Sequence, residues 1–536
     1  MTEEKRIGAV LTVNSGSLTV LLDETITSLQ KELFGKTYNI GQLGTYVLIP
    51  AGHLTIVCVV SDFRKTDVTI NGKAQQRYLM TVNMVGGSKD GKFERGMAVF
   101  PTVDSPVFLA EDYDLRAAFS VYQHYDFSIG NLSLFENERA FLDPNRFFGK
   151  HIAVLGSTGS GKSCTVSSIL QKVTNLQDTN VIILDIHNEY GTAFPTNCNR
   201  IDITDLELPF WLMNFEELRE IFVDEKEESA ASQITVFKDQ ILTSKKAKNS
   251  SLVGSITIDT PVNFDLVEIR AKIQYLDTEK ITGLGPSGVK EGPFYGQFTR
   301  FLVRLDSKLN DTRYGFIFKP KKYVKSETIK DLLAKIFGTD GSAKVTILDL
   351  SGVPFDVVNI IVSLLARITF DFNFWNANRR NFPVLLVFEE AHNYLPSGGT
   401  GSGAARRTVE RIAKEGRKYG VSCMIVSQRP AEVSETILSQ CNNYVILRLT
   451  NPVDQNYVRR LVPDAFAGLI EILSSLRQGE ALVVGDAVSM PSRVQVDFPN
   501  PEPDSSDIKF FDKWKQSSVR TDISEVVERW WKQERS

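Results

Sequence analysis

Two different rhythms of apolar residues divide this chain. In the N-terminal part, short β-rich runs at Arg6–Thr12, Leu18–Leu22, Tyr46–Pro50, Leu54–Val60 and Arg77–Met84 are separated by the turn-forming stretches NSGS, AGH, NGK and GGSKDGK. Strands at this spacing, with no helical period between them, predict a small β-barrel over residues 1–110. Near Phe135 the rhythm changes, and from His151 onward continuous apolar runs are followed by longer helical stretches. That alternation predicts a parallel α/β sheet. Its core strands are placed at His151–Gly156, Val181–Asp185, Lys344–Leu350, Val384–Phe388 and Val421–Ser427, whose unbroken apolar character implies burial on both faces.

Between Ile201 and Gly341 the sheet signal lapses into charged, amphipathic segments: Glu228–Lys248, Asn263–Lys280, Tyr295–Leu309 and Ser326–Phe337. They predict a mostly helical insertion, residues 201–340, inside a core made of 111–200 and 341–498. Past Pro499, NPEPDSSD reads as a linker and SEVVERWWKQERS as a short terminal helix, together 499–536. No internal repeat is evident.

Composition narrows the class. With 42% hydrophobic and 24% charged residues among 536, the chain matches soluble globular proteins and excludes wholesale disorder. The start, MTEEKRIGAV, has no apolar stretch behind a basic segment and does not resemble a secretory signal. The most apolar run is taken to be Tyr46–Val60, which Pro50, Gly52 and His53 interrupt, making it too short and broken to cross a bilayer. A cytoplasmic protein without membrane contact is expected. The five cysteines, Cys58, Cys164, Cys198, Cys423 and Cys441, stand singly without CxxC spacing and read as reduced and structural. A net charge of −4 excludes coating nucleic acid with the whole surface, so any DNA contact needs a local basic zone.

The chemistry concentrates in four segments. Gly156-Ser157-Thr158-Gly159-Ser160-Gly161-Lys162-Ser163, followed by Cys164, fits G-x-x-x-x-G-K-[ST] between a strand (HIAVL) and a helix (SCTVSSILQKV). Glycines let backbone N–H groups wrap a phosphate, the helix N-terminus favours an anion, Lys162 reaches the β/γ-phosphates of ATP, and Ser163 ligates Mg²⁺. Second, the strand Val384–Phe388 ends in paired carboxylates, Glu389 and Glu390, and acids at a buried strand's end need a purpose. Successive strand residues face opposite ways, which assigns Glu389 to the metal and Glu390 to the attacking water. Third, Val421–Ser427 ends in Gln428, an amide able to contact the γ-phosphate or the water. Fourth, the basic amphipathic stretch RRTVERIAKEGRK offers a guanidinium for the transition state of a neighbouring subunit, with Arg417 the first choice and Arg411 the second. The segments DIHNEY and EEAH do not carry the ligand number or spacing of a zinc site, and phosphate-cleft or supporting roles suit His187 and His392 better.

Taken together, GSTGSGKS, LDIHNEY, LPFWLMNFEEL, LVFEEAHNYLP, IAKEGRKYGVSCMIVSQRP and LSQCNNYVILRL resemble the HerA ATPases of the FtsK–HerA superfamily. The resemblance covers most of the chain and implies a RecA-like P-loop ATPase core with a helical insertion, preceded by the barrel. It also implies a homohexamer that moves double-stranded DNA through a central channel, with a nuclease or defence effector as partner. Glu389-Glu390 in place of the commoner Asp-Glu is similar to HerA rather than FtsK. One departure is Lys150-His151, where archaeal relatives tend to carry Arg-His, which leaves a contact from that arginine to a neighbour's nucleotide in doubt. With no nuclease-like cluster outside the pocket, the barrel is the expected docking surface for the partner, since six copies make an avid platform. The competing reading is a ring scaffold whose ATP binding assembles an effector with little translocation. An ABC-type ATPase lacks its LSGGQ-like signature here.

Overall fold

The computed structural model describes residues 2–532, apart from positions 15, 27, 34, 71–72, 98, 136–137, 283–287, 340, 342, 399–402, 506–507 and 516–521. Six N-terminal strands, β1 (Arg6–Val13), β2 (Ser17–Leu22), β3 (Tyr46–Ala51), β4 (Leu54–Ile70), β5 (Lys73–Lys89) and β6 (Pro106–Leu109), pair in the order β2-β1-β6-β3-β4-β5. β5 returns to β2, with Leu18 opposite Val82 and Val20 opposite Met80, so the sheet closes into a barrel. Alternate residues point inward, and Leu18, Val20 and Leu22 meet Ile49, Ile56 and Met80 in a common core.

The expected turn at GGSKDGK lies within that stretch but is confined to its second half. Gly86 and Gly87 lie within β5, and the chain reverses at Asp90 and Gly91, whose φ of 48° and 75° suit a tight hairpin. Gly86 serves close approach instead: a Cβ there would stand 2.4 Å from the Glu94 carbonyl oxygen. Asn71 and Gly72 of the expected NGK turn lie outside the described residues.

The chain divides into two compact units, one holding residues 1–177, 376–400 and 410–502, the other 178–375, 401–409 and 503–536. Besides the barrel, the first unit contains β7 (Ile152–Leu155), β8 (Val384–Phe388) and β9 (Val421–Ser427), as the apolar runs predict. β7 lies parallel to β9, which lies parallel to β8. On its other side β7 pairs in parallel with Asn443–Ile446, and the sheet then continues antiparallel through Glu480–Gly485, Ser492–Val496, Ser128–Leu132 and Arg139–Phe141. Those outer strands escape sequence inspection because they are short, and Ser492–Val496 has the half-buried alternation of a sheet margin. Every residue of β7, β8 and β9 is buried. Helix α1 (Lys162–Gln171) follows β7 after one loop.

The second unit has its own parallel strands, Val181–Asp185, Val345–Asp349 and Cys198–Asp202, with Val345–Asp349 in the middle. Between the last two in sequence run the helices Ala230–Lys248, Leu266–Thr278, Thr299–Asn310 and Ile329–Ile336, close to the expected amphipathic segments. Helix α2 (Phe355–Trp375) corrects one expectation: this helix, not Tyr46–Val60, has the length and composition that could cross a membrane. Within it, the window Val357–Trp375 is 67% buried inside the protein. Its Arg367 grips the fully buried Glu217 at 2.9 Å (Nη2 to Oε2) and 3.2 Å (Nε to Oε1), a two-pronged ion pair that fixes α2 as a core helix of this unit. Near the end of the chain lie two helices, Phe510–Lys515 and the expected Ile523–Lys532.

Candidate nucleotide-hydrolysis site

The loop leaving β7 is shaped by close approaches that exclude side chains. A Cβ on Gly156 would stand 2.6 Å from Ser160 Oγ and 2.9 Å from Leu447 Cβ, while Gly159 and Gly161 adopt φ of +71° and +100°. The loop is tied down by Gly156 N donating to Ser427 O (3.2 Å), Ser157 N to Arg448 O (2.8 Å) and Gly479 N to Ser160 O (3.0 Å). Gly161 caps α1, and the first helical bond runs from Thr165 N to Gly161 O at 2.9 Å. The helix opens on the loop at Lys162, and its dipole adds positive character to that end. The buried Ser160 hydroxyl also finds no hydrogen-bond partner in the described protein. Such a cradle fits a phosphate chain.

Lys162 is 8% exposed, and its Nζ lies 3.8 Å from Oε1 of Glu390, itself 7% exposed. The alternation argument that separated the two glutamates does not hold, because β8 ends at Phe388 and both lie in the following turn. Glu390 instead takes φ 46° and ψ 50°, a left-handed conformation that carries strain for a residue with a Cβ. The turn is pinned by Tyr394 Oη donating to Glu389 O at 2.6 Å. Glu389 is 2% exposed.

His392, two residues after Glu390, lies with Nδ1 3.3 Å from Glu390 Oε2 and 3.3 Å from Ser427 Oγ. Burial pushes its imidazole below the usual value, with Lys162 and Arg429 acting in the same direction against the carboxylates of Glu390 and Glu432. Ser427 Oγ also accepts from Arg429 N at 3.0 Å. Next to it, Gln428 Oε1 accepts from the hydroxyl of Thr158 in the phosphate loop. The structure thus brings Lys162, Glu390, His392, Ser427 and Gln428 into one cluster at the carboxyl ends of β7, β8 and β9. Two participants were missed by sequence inspection: Arg429, a cation directly after the strand-end amide in SQRP, and Thr450, whose amide bonds Ser157 Oγ at 3.2 Å.

Arg417 and Arg411 stand elsewhere. Arg417 is exposed at the amino end of β9, with Nη1 3.4 Å from Asn442 Oδ1, and Arg411 Nε lies 3.6 Å from Glu415 Oε2. Lys150 is engaged by Asp486 at 2.5 Å, and His151 is buried with Nδ1 accepting from Cys423 N at 3.0 Å. In the second unit, Asp185 of LDIHNEY is a buried turn cap, accepting from His187 N (3.3 Å), Glu189 N (3.2 Å) and Tyr190 N (3.0 Å). Burial raises its carboxyl pKa against those three donors.

The α/β core, the glycine loop opening a helix and the lysine–glutamate pair define a P-loop ATPase, an ATP-hydrolysing enzyme. Residues 127–368 match a family profile described as the central domain of helicase HerA. The DNA double-strand break repair helicase HerA of Saccharolobus solfataricus is 30% identical over 421 residues, covering 78% of this chain and 77% of that protein. Its namesake from Pyrococcus furiosus is 28% identical over 415 residues, covering 70% of each. Among solved structures, VirB4 of Thermoanaerobacter pseudethanolicus superposes with a TM-score of 0.49 and 16% identity over 69% of this chain and 96% of that one. The chain belongs to the HerA helicase family.

Proposed function

We propose that the pocket binds ATP with Mg²⁺ and that its turnover drives movement along double-stranded DNA. The observation that carries this is the Glu390 carboxylate held 3.8 Å from Lys162 on a loop built to receive phosphates. Lys162 and the N–H groups opening α1 bind the phosphate chain. Ser163 and Glu389 are the residues that would hold Mg²⁺, whose charge would offset that of the phosphates. Glu390 orients the attacking water, and its second oxygen is buried without a hydrogen-bond partner among the described residues. Gln428, bonded to Thr158, is placed to pass the state of the phosphate loop to the end of β9. DNA as the track is supported by relatives named as DNA-repair helicases, matched over most of their length.

The wider proposal is a cytoplasmic homohexamer with DNA in its central channel and a nuclease or defence effector docked on the barrel. Residues 1–110, 111–200 with 341–498, 201–340 and 499–536 serve as barrel, core, insertion and tail. The deciding experiment measures ATPase with duplexes of unrelated sequence over a range of salt. Stimulation by every duplex, fading as salt rises, is expected from phosphate contacts that release counterions. An ATPase indifferent to DNA would reject the motor and leave the scaffold.

A further inference from the structure

We infer that the segment Lys319–Lys325 of the second unit is a fixed contact for the phosphate backbone of duplex DNA. Its sequence, KPKKYVK, places four lysines in seven residues with no acid among them. Lys319, Lys321, Lys322 and Lys325 are all exposed, and none is ion-paired to a carboxylate among the described residues. Elsewhere the chain neutralises cations readily, as in the pairs Lys150–Asp486, Lys172–Asp497 and Lys248–Asp265.

Most lysine runs are solvated and mobile, and this one differs in how its main chain is held. Oε2 of Glu207 accepts from the N–H groups of both Lys321 (2.7 Å) and Lys322 (2.8 Å). Trp211, 1% exposed, donates its indole N–H to Tyr323 O at 3.0 Å, and Asn263 Nδ2 donates to Val324 O at 3.3 Å. Lys322 Nζ adds a bond to Asp205 O at 2.8 Å, and Pro320 fixes φ at the turn into the segment. Glu207 does this from a left-handed conformation, φ 61°, of the kind that persists only where surrounding structure enforces it. Its carboxylate is directed at peptide N–H groups, so the fold sets the shape of the strap while the exposed Lys319, Lys321 and Lys325 keep ammonium groups with no carboxylate partner among the described residues and that of Lys322 is held by Asp205 O.

From Lys319 to Lys325 the chain spans at most about 20 Å, a length over which one DNA strand presents about six phosphates. The aromatic residue within the strap, Tyr323, is half-buried, so there is no open stacking platform of the kind that single-strand binders use. Point charges on a rigid strap suit the duplex backbone and carry no base readout. In a chain of net charge −4, this is a local basic zone of the kind that DNA binding needs.

The inference rests on the DNA reading above, and its test separates the two. The full chain carrying Lys319→Gln, Lys321→Gln, Lys322→Gln and Lys325→Gln is compared with the natural chain for duplex affinity against salt. The slope of log K against log[salt] should fall by about 3, close to 0.9 for each of the contacts from Lys319, Lys321 and Lys325, with DNA-free ATPase unchanged. Glu207→Ala, which removes no lysine, should weaken binding several-fold while keeping most of the slope. If the natural chain shows no salt-dependent DNA binding, the motor reading itself fails. If it does and the four-fold variant keeps the same slope, the strap is overturned. Loss of binding to poly-glutamate with the DNA slope retained also overturns it, in favour of an acidic protein partner.

Discussion

The parallel strands of the first unit end in two very different ways. At their carboxyl ends lie a glycine loop, a left-handed glutamate and polar groups without a partner among the described residues, such as the Ser160 hydroxyl. At their amino ends several polar groups bridge one another, although His151 Nε2 and Ser422 Oγ are buried without a hydrogen-bond partner among the described residues. Lys150 meets Asp486 at 2.5 Å, Asn442 reaches Asp486 and Arg417 at 3.4 Å each, and His151 takes the Cys423 N–H. Open α/β sheets bind ligands at the carboxyl ends of their strands because helix N-termini converge there. The contrast is between an end with a glycine loop and a helix N-terminus that suit an external anion and an end whose charged groups pair within the protein, and it is open to attack from both sides.

The largest effect should come from the ligand end. Lys162→Ala should reduce ATP hydrolysis to background with the thermal unfolding midpoint little changed, since it removes a charge and no core volume. Glu390→Gln should retain nucleotide binding while turnover falls on the order of 10²–10⁴-fold, because an amide cannot polarise water as a carboxylate does. Turnover at the natural rate in Glu390→Gln would transfer the water to Glu389 and undo the assignment.

How legible this contrast was in the sequence depends on how local its causes are. β7, β8, β9 and the phosphate loop were readable because strands buried on both faces must be continuously apolar and a phosphate cradle needs its glycines and lysine at set spacing. Gln428 was readable for the same reason, as a polar residue closing an apolar strand. The roles of Glu389 and Glu390 were harder, because a left-handed turn at Glu390 leaves no trace in a glutamate pair. Helix α2 was passed over because Asp356, Asn359, Arg367 and Asp371 break up its apolar run, and its arginine is explained only by Glu217, 150 residues away. The His151–Cys423 bond links positions 272 apart and had no sequence signal.

Next in size is the effect at the amino end. β9 carries Arg417 before its first residue and Gln428 after its last, and seven strand residues span about 20 Å. Arg417 therefore cannot reach its own pocket, whereas in a ring it can face a neighbour's. Arg417→Ala should lower ATPase on the order of 10³-fold, the loss typical of an arginine that stabilises phosphoryl transfer. Mixing it with Lys162→Ala chains should restore part of the activity, because an intact pocket then meets an intact arginine across some interfaces. No recovery at any ratio would remove Arg417 from the site and move attention to Arg411 or Arg429.

The smallest effect is one of stability, and it belongs to the amino end alone. Burial, aided by the Arg417 charge, holds the His151 imidazole down to about 4. An unfolded histidine titrates near 6.5, so below that pH the unfolded chain binds a proton that the folded one refuses. The stabilisation is complete above about pH 6.5 and is lost as pH falls from there through 4, by roughly 2 kcal/mol between pH 7.5 and 5. Denaturant unfolding at those two pH values, compared between the natural chain and His151→Asn, isolates this group from the carboxylates. The asparagine oxygen can still accept the Cys423 N–H, yet it does not titrate, so its pH dependence should be the shallower by that amount. Parallel losses in both chains would clear His151 of the role. Because Arg417 is the second cause of the depression, Arg417→Ala should raise the imidazole pKa and narrow the window, which would show by titration alone that the guanidinium stands at the amino end.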